Sequence, residues 1–212
     1  GQNGATSVLT YMEIMGDDLV FPTTGNGWYV STLRWLDNNN ANSGNLFYPY
    51  DFYYGQIRIA NIILKNLPNV SGADATKERI KGEALAMRAY GYFMLTQIYA
   101  KRYEVGGANT HPGVPLRLDD SFDPIPRSTV AEVYTSINSD LAQSYTLLDG
   151  KPRSNKSHFN SNVVRGLMAR VALVQGKYPE AATYAKEART GFALMTNAQY
   201  KSGFNSYAVS EW

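Results

Sequence analysis

Residues 74–103 read D-A-T-K-E-R-I-K-G-E-A-L-A-M-R-A-Y-G-Y-F-M-L-T-Q-I-Y-A-K-R-Y, with no proline anywhere. Ala, Leu, Met, Glu and Arg are frequent, so the intrinsic preference is helical. Ile80, Ala84, Met87, Gly91, Met94 and Ile98 recur at alternating steps of four and three, which is one apolar stripe of a helix. Leu85, Ala89, Tyr92, Thr96 and Tyr99 make a second, partly polar stripe. A helix with two such stripes is expected to be covered on more than one side. At about 1.5 Å per residue it would run roughly 40 Å. Ala84, Ala86, Ala89 and Gly91 are small, so neighbouring helices can approach closely. The stretch predicts the central helix of an all-α domain.

Working outward, Tyr50 to Leu67 predicts a second helix with Tyr53, Ile57, Ala60, Leu64 and Leu67 on one face. Pro68 and Ser71-Gly72 end it, and Asp74 is the expected N-cap of the long helix. A short loop between them predicts an antiparallel pair over about 50–101. Residues 104–127 hold four prolines (112, 115, 124, 126) with Gly106, Gly107 and Gly113, so this connection should be irregular. Its length points to function or to packing along the surface. Thr129 followed by Glu132 predicts a capping box, with Val130, Val133, Ile137, Leu141, Tyr145 and Leu148 as the buried face and Gly150 and Pro152 as the stop. A further helix is expected from Ser161 to Gln175, and another from Pro179 to about Thr190. Ala169, Gly176, Tyr178, Ala181 and Ala188 fall at spacings that resemble a tetratricopeptide repeat, so 129–191 should be repeat-like antiparallel helices. Residues 1–20 read as a helix entry with Met12, Met15 and Leu19 on one face, then a loop. Val30 to Leu36 is a short helix or an extended piece.

The 212 residues suffice for one domain with a sizeable core. A net charge of +2 with scattered lysines and arginines argues against nucleic acid as the partner. With no cysteine, disulfides, thiol catalysis and cysteine-ligated metal are excluded. No run approaches the roughly 18 apolar residues of a membrane span, and no signal peptide is visible.

Chemistry-bearing motifs are sparse. There is no G-x-S-x-G elbow, no Walker loop and no H-E-x-x-H. Gly25-Asn26-Gly27 lacks the third glycine of a dinucleotide site. His111 and His158 share no evident carboxylate partner in the sequence, which favours solvated or capping roles. Asp17-Asp18 and Asp119-Asp120 are adjacent pairs, whereas a glycosidase needs two carboxylates about 5–10 Å apart across a sugar. Asp37-x-Asn39 begins like a calcium loop, but Ala41 and Tyr48 stand where an EF-hand needs oxygen ligands. No catalytic residue, cofactor or metal is therefore assigned.

The segment most suited to a ligand is 24–54, where Trp28, Tyr29, Trp35, Phe47, Tyr48 and Tyr50 mix with amides. Flat rings take the C–H faces of a pyranose, and amide or charged groups take its hydroxyls. On this basis the candidate ligand residues are Trp28, Tyr29, Trp35, Asn26, Asp37, Asn39 and Tyr48. The competing role for these aromatics is to anchor the loop on the helices.

G-E-A-L-A-M-R-A-Y-G-Y-F-M-L (82–95), Y-A-K-R-Y (99–103) and G-V-P-L (113–116) resemble the hallmark region of the RagB/SusD family. P-R-S-T-V-A-E-V-Y (126–134) and S-N-V-V-R-G-L-M-A-R-V-A-L-V-Q-G-K-Y-P-E-A-A (161–182) extend the similarity over about 50–191. The resemblance implies tetratricopeptide-like antiparallel helix pairs with irregular aromatic-rich loops, in a single domain over 1–212 that is incomplete at both ends. It implies non-catalytic binding of a glycan, an oligosaccharide, at the outer-membrane surface. Delivery would be to a SusC-like TonB-dependent transporter. A surface lipoprotein of this kind would touch the membrane only through a lipid anchor upstream of Gly1. The alternative is a helical scaffold that binds only protein partners. Glu83, Arg88 and Tyr90, within the matching motif, are expected to be structural.

Overall fold

Eight α-helices form among the residues that the computed structural model describes, 4–16, 27, 29–153 and 155–203. They are α1 (Ala5–Met15), α2 (Val30–Leu33), α3 (Gly44–Asn66), α4 (Asp74–Tyr99), α5 (Val130–Leu148), α6 (Ser161–Val174), α7 (Tyr178–Ala188) and α8 (Asn197–Lys201). Two 3-10 turns, Asp37–Asn39 and Leu67–Asn69, flank α3. No strand forms among the described residues, so the fold is all-α, as the periodicities predict.

The long helix α4 is central. Leu85, Ala89, Tyr92 and Thr96 of its second stripe are buried, as are Ala84, Gly91 and Met94 of its first. Helix α3 covers it on one side. Tyr50 meets Tyr99, Tyr53 meets Tyr90 and Asn61 meets Arg88, so the residue numbers run in opposite directions and the pair is antiparallel. Helix α5 covers α4 on another side, also antiparallel: Gln97 donates to the Tyr134 hydroxyl, and the Ser144 hydroxyl donates to the Gly82 carbonyl. Two glycines of α4 make these approaches possible. A Cβ on Gly91 would lie 2.9 Å from Ile57 Cγ1 of α3, and one on Gly82 would lie 2.7 Å from Leu148 Cγ of α5.

A single arginine joins all three helices. Arg88 donates from Nε and Nη2 to both oxygens of Asp140, at 2.7 and 2.8 Å, and from Nη1 to Asn61 Oδ1 at 3.0 Å. The planar fork of Arg matches the carboxylate in a way that Lys could not. Both side chains are nearly buried, so neither charge tolerates loss of its partner. This gives Arg88 the structural role expected of it.

The array continues by the same rule. The guanidinium of Arg165 on α6 lies 3.6 Å from the Tyr145 ring centroid on α5, and its Nε is 2.7 Å from Glu187 of α7. The Asn162 amide donates to the carbonyls of Ala188 and Thr190, holding α6 antiparallel to α7. Helix α5 starts with the expected capping box of Thr129 and Glu132. Helix α6 starts on Asn160, whose side chain accepts from the Val163 N–H, and Pro179 sits in the first turn of α7.

Several boundaries differ from expectation. Helix α3 begins at Gly44 rather than Tyr50, with Pro49 in its second turn, where only one backbone bond is forfeited. Asp74 is the first residue of α4 rather than its N-cap; Ala73 holds that position and makes no side-chain bond, while Asp74 pairs with Lys77 at 3.1 Å. Helix α7 spans 178–188.

The proline- and glycine-rich connection is irregular but lies along the helices. Tyr54, Asn61 and Tyr92 donate from α3 and α4 to the carbonyls of Pro115, Arg117 and Asp119. Gly113 and Ser128 face each other, with Gly113 N–H donating to Ser128 O and Ser128 N–H to Val114 O. A Cβ at Gly113 would sit 2.9 Å from the Ser128 carbonyl, which explains the glycine. Packing along the surface therefore accounts for the length of this segment.

Candidate functional site

The ligand-type residues gather where α1, α2 and the start of α3 meet. Asn26 and Trp28 of the candidate set lie outside the described residues, as do Gly25, Asp17-Asp18 and Leu19. The remaining five occupy three different environments.

Tyr29 and Tyr48 pack against other rings. Tyr29 meets Tyr11 of α1 edge-to-face, with centroids 5.6 Å apart. Tyr48 stacks on Phe52 at 5.9 Å, and its hydroxyl bonds to the backbone of Gly4. Burial, together with Tyr29, Tyr48 and Asp37, pushes the Tyr11 hydroxyl above its ordinary range.

Asp37 is the centre of the loop between α2 and α3. Its Oδ1 accepts from the Ser43 hydroxyl at 2.8 Å. Its Oδ2 accepts from Thr32 at 2.6 Å, Ser31 at 3.1 Å and the Asn45 amide at 3.1 Å. Burial pushes its carboxyl up, but bonds from Thr32, Asn45, Ser43 and Ser31 outweigh this and hold it below the usual value. A carboxylate offers about four lone-pair sites; here three donors converge on Oδ2 and one on Oδ1. The calcium-like start of this sequence is therefore a hydroxyl- and amide-capped aspartate. No group of three or more His, Cys, Asp or Glu side chains that could hold a metal ion forms among the described residues.

Trp35 and Asn39 face solvent. Trp35 is 58% exposed and has φ +58°. It follows α2 at a helix end with a defined hydrogen-bond pattern: Trp35 N–H donates to Thr32 O at 3.0 Å, and Leu36 N–H to Ser31 O at 2.9 Å. This is a Schellman motif, whose left-handed position normally carries glycine. Leu36 and Phe47 are also exposed nearby in sequence. Asn39, in the 3-10 turn, is exposed.

A concavity of about 380 Å³ lies between α3, α4 and the segment before α6. Ile59, Ile63, Ile80, Met87 and Phe159 form its walls. His158 Nδ1 lies 2.8 Å from Glu83 Oε2, and Arg79 holds Glu83 Oε1 at 2.8 Å. His158 thus has a carboxylate partner after all, supplied by a residue 75 positions away. The sequence carries no signal for this groove, because Ile80 and Met87 read as ordinary members of a buried stripe. Asp119 and Asp120 do not converge on a shared site: Asp119 binds Arg117 and Ser121, and Asp120 binds Lys65 at 2.7 Å.

No helix among the described residues is long and apolar enough to cross a membrane. Curated protein sequences yield no match to the chain. Solved structures do. A SusD-like carbohydrate-binding protein of Bacteroides vulgatus is 26% identical, with TM-score 0.84, over 99% of this chain and 44% of its own. A second Bacteroides vulgatus protein, described as a candidate sugar-binding protein, is 32% identical, with TM-score 0.78, over 96% of this chain and 46% of its own. A laminarin-binding SusD-like protein, 22% identical, shares the fold with TM-score 0.75 over 98% of this chain and 46% of its own. The chain spans less than half the length of each of them. The model of the SusD-like family described as "starch-binding associating with outer membrane" matches residues 9–173. With that match over most of its length, on an array of antiparallel helices, the chain belongs to the SusD-like family.

Proposed function

We propose that the protein binds a glycan, an oligosaccharide, at the outer-membrane surface without cleaving it, and passes it to a SusC-like TonB-dependent transporter. The observation that carries the glycan reading is the family match over residues 9–173, to which the laminarin-binding neighbour adds support. The non-catalytic part follows from the same family and fits the engaged state of Asp37, Asp119 and Asp120. Placement at the membrane surface would come from a lipid anchor outside this sequence.

Trp35 is the stacking surface in this reading. Its ring is exposed on a loop whose neighbours, Asn39 above all, offer amides to sugar hydroxyls. Tyr29 and Tyr48 are engaged with Tyr11 and Phe52, and Trp28 and Asn26 belong to the same segment. A glycan array that includes laminari- and xylogluco-oligosaccharides, followed by calorimetry on the hits, tests the assignment. Trp35→Ala should weaken binding about fivefold to tenfold with unchanged helicity, since a ring contact contributes on the order of 1 kcal/mol. Equal binding by the variant would remove Trp35 from the site.

The α3–α4 groove supports a second reading, a scaffold for protein segments. Its walls are mainly aliphatic and Ile59 is exposed, which suits an apolar side chain better than a pyranose. An array without hits, combined with peptide binding that Ile59→Asp abolishes, would favour that reading.

A further inference from the structure

The loop that carries Trp35 is held in an unusual way. At the end of α6 the same Schellman pattern recurs: Gly176 N–H donates to Leu173 O, and Lys177 N–H to Ala172 O. There the left-handed position holds glycine, at φ +72°. At the end of α2 it holds tryptophan. An L-residue with a bulky side chain is disfavoured in that conformation, because Cβ crowds the following carbonyl. Such residues persist where the surroundings over-determine the backbone, and they cluster at ligand-contacting positions.

The over-determining contact here is Asp37. Its four donors come from both sides of the loop, Ser31 and Thr32 before Trp35, Ser43 and Asn45 after it. Thr32 and Ser43 are themselves buried, so the two ends are anchored to the helices. Asn45 also donates to the Thr32 hydroxyl at 3.2 Å, closing the network on itself. Three of the four donors fall on Oδ2, which is fully engaged, and one falls on Oδ1, so most of the carboxylate's acceptor capacity is spent inside the loop.

We propose that Asp37 is the positioning residue of the glycan site: its carboxylate ties the two ends of loop 31–45 together, and the tied loop fixes Trp35 in the left-handed conformation that presents its ring. This assignment rests on the reading of Trp35 as the stacking surface. It moves Asp37 from the ligand-contacting set to the group that orders it. Residues that precede and follow an exposed aromatic, and that share one carboxylate, keep that aromatic preset before the ligand arrives, which lowers the ordering cost of binding.

Anisotropy is read in the protein with Trp28→Phe and Trp212→Phe, which leaves Trp35 as the tryptophan observed; affinity is read with Trp28 and Trp212 in place, because Trp28 is itself a candidate ligand residue. Two quantities are measured, the fluorescence anisotropy of Trp35 without ligand and the affinity for laminari- and xylogluco-oligosaccharides. Asp37→Ala should lower the anisotropy and weaken affinity for whichever probe binds, by at most the fivefold to tenfold (about 1 kcal/mol) expected for loss of the ring itself. Asp37→Asn should lie between, because the amide oxygen keeps part of the acceptor set. Thermal unfolding reports whether the helices remain intact. Trp35→Gly, made where glycine is favoured, should keep the fold and weaken binding about fivefold to tenfold. Unchanged anisotropy in Asp37→Ala overturns the positioning role even if Trp35→Gly shows that the ring binds glycan. Lowered anisotropy with full binding by Trp35→Gly, or no binding of either probe by the parent, overturns the link to glycan while leaving the glycan-independent hold of Asp37 on the loop measured.

Discussion

Two helix ends in this molecule share one hydrogen-bond motif and solve it with opposite residues. After α6, Gly176 takes the left-handed position, and a Cβ there would also press on Val105. After α2, Trp35 takes it with its ring in solvent. The α6 end needs only a residue without Cβ, because local geometry and a close neighbour both demand it. The α2 end runs against local preference and depends on one carboxylate with four donors. The difference separates order built by packing from order built by a polar network: the first fixes the helical array, the second a surface loop.

The largest expected effect lies in the packed part. Arg88→Ala leaves Asp140 buried without its partner, and this should destabilise the protein by about 3–5 kcal/mol in a denaturant titration. A loss below about 1 kcal/mol would mean that the three helices do not depend on this pair. Smaller is the cost at the α6 end. Gly176→Ala should lower stability by about 1–2 kcal/mol through the left-handed penalty, before any strain at Val105. If it is neutral, the comparison of the two helix ends loses its reference point.

The mirror substitution is expected to go the other way. Trp35→Gly should leave the unfolding midpoint unchanged or raise it, by up to about 1 kcal/mol of added stability, because glycine is favoured at that position. A marked fall would show that the Trp35 ring contributes packing and is not held for ligand contact. The smallest effect is in pH. The folded Asp37 carboxyl lies below its unfolded value of about 3.9, so its stabilising contribution is complete above that value and disappears as pH falls through the native one. Trp35 anisotropy should therefore be flat from pH 7 to about 5 and drop below about pH 4. Tyr11, the titratable neighbour on α1, is neutral over that range as any tyrosine is, and its burial pushes its hydroxyl further from it. Asp37→Ala should abolish the transition.

How much of this was legible depended on which interactions are local. The α5 capping box needs only Thr129 and Glu132, three residues apart, and was read correctly. The start of α3 reads as loop in the sequence because Pro49 and the asparagines before it are loop-like, whereas the helix begins at Gly44, just after Asn42, and passes through Pro49 with the loss of one bond. The cap of α4 was misread by one residue, since an aspartate serves a helix N-terminus both as cap and as first-turn acid. His158 was read as lacking a carboxylate partner, because Glu83 reaches it only when α4 and the segment before α6 come together.

By itself the sequence determined the helices, their order and the small residues that allow close approach, because propensity, periodicity and capping act within a few residues along the chain. It also determined the aromatic- and amide-rich character of 24–54. Only the tertiary structure decided which of those aromatics are free: Tyr48 and Tyr29 turn to other rings, and Trp35 faces out. It alone decided that Asp37 gathers four donors and that Arg88 is answered by Asp140, 52 residues away. A carboxylate in a sequence carries no mark of how many donors will surround it. That number is set by which segments fold against it, and it decides whether the group meets a ligand or holds the loop that does.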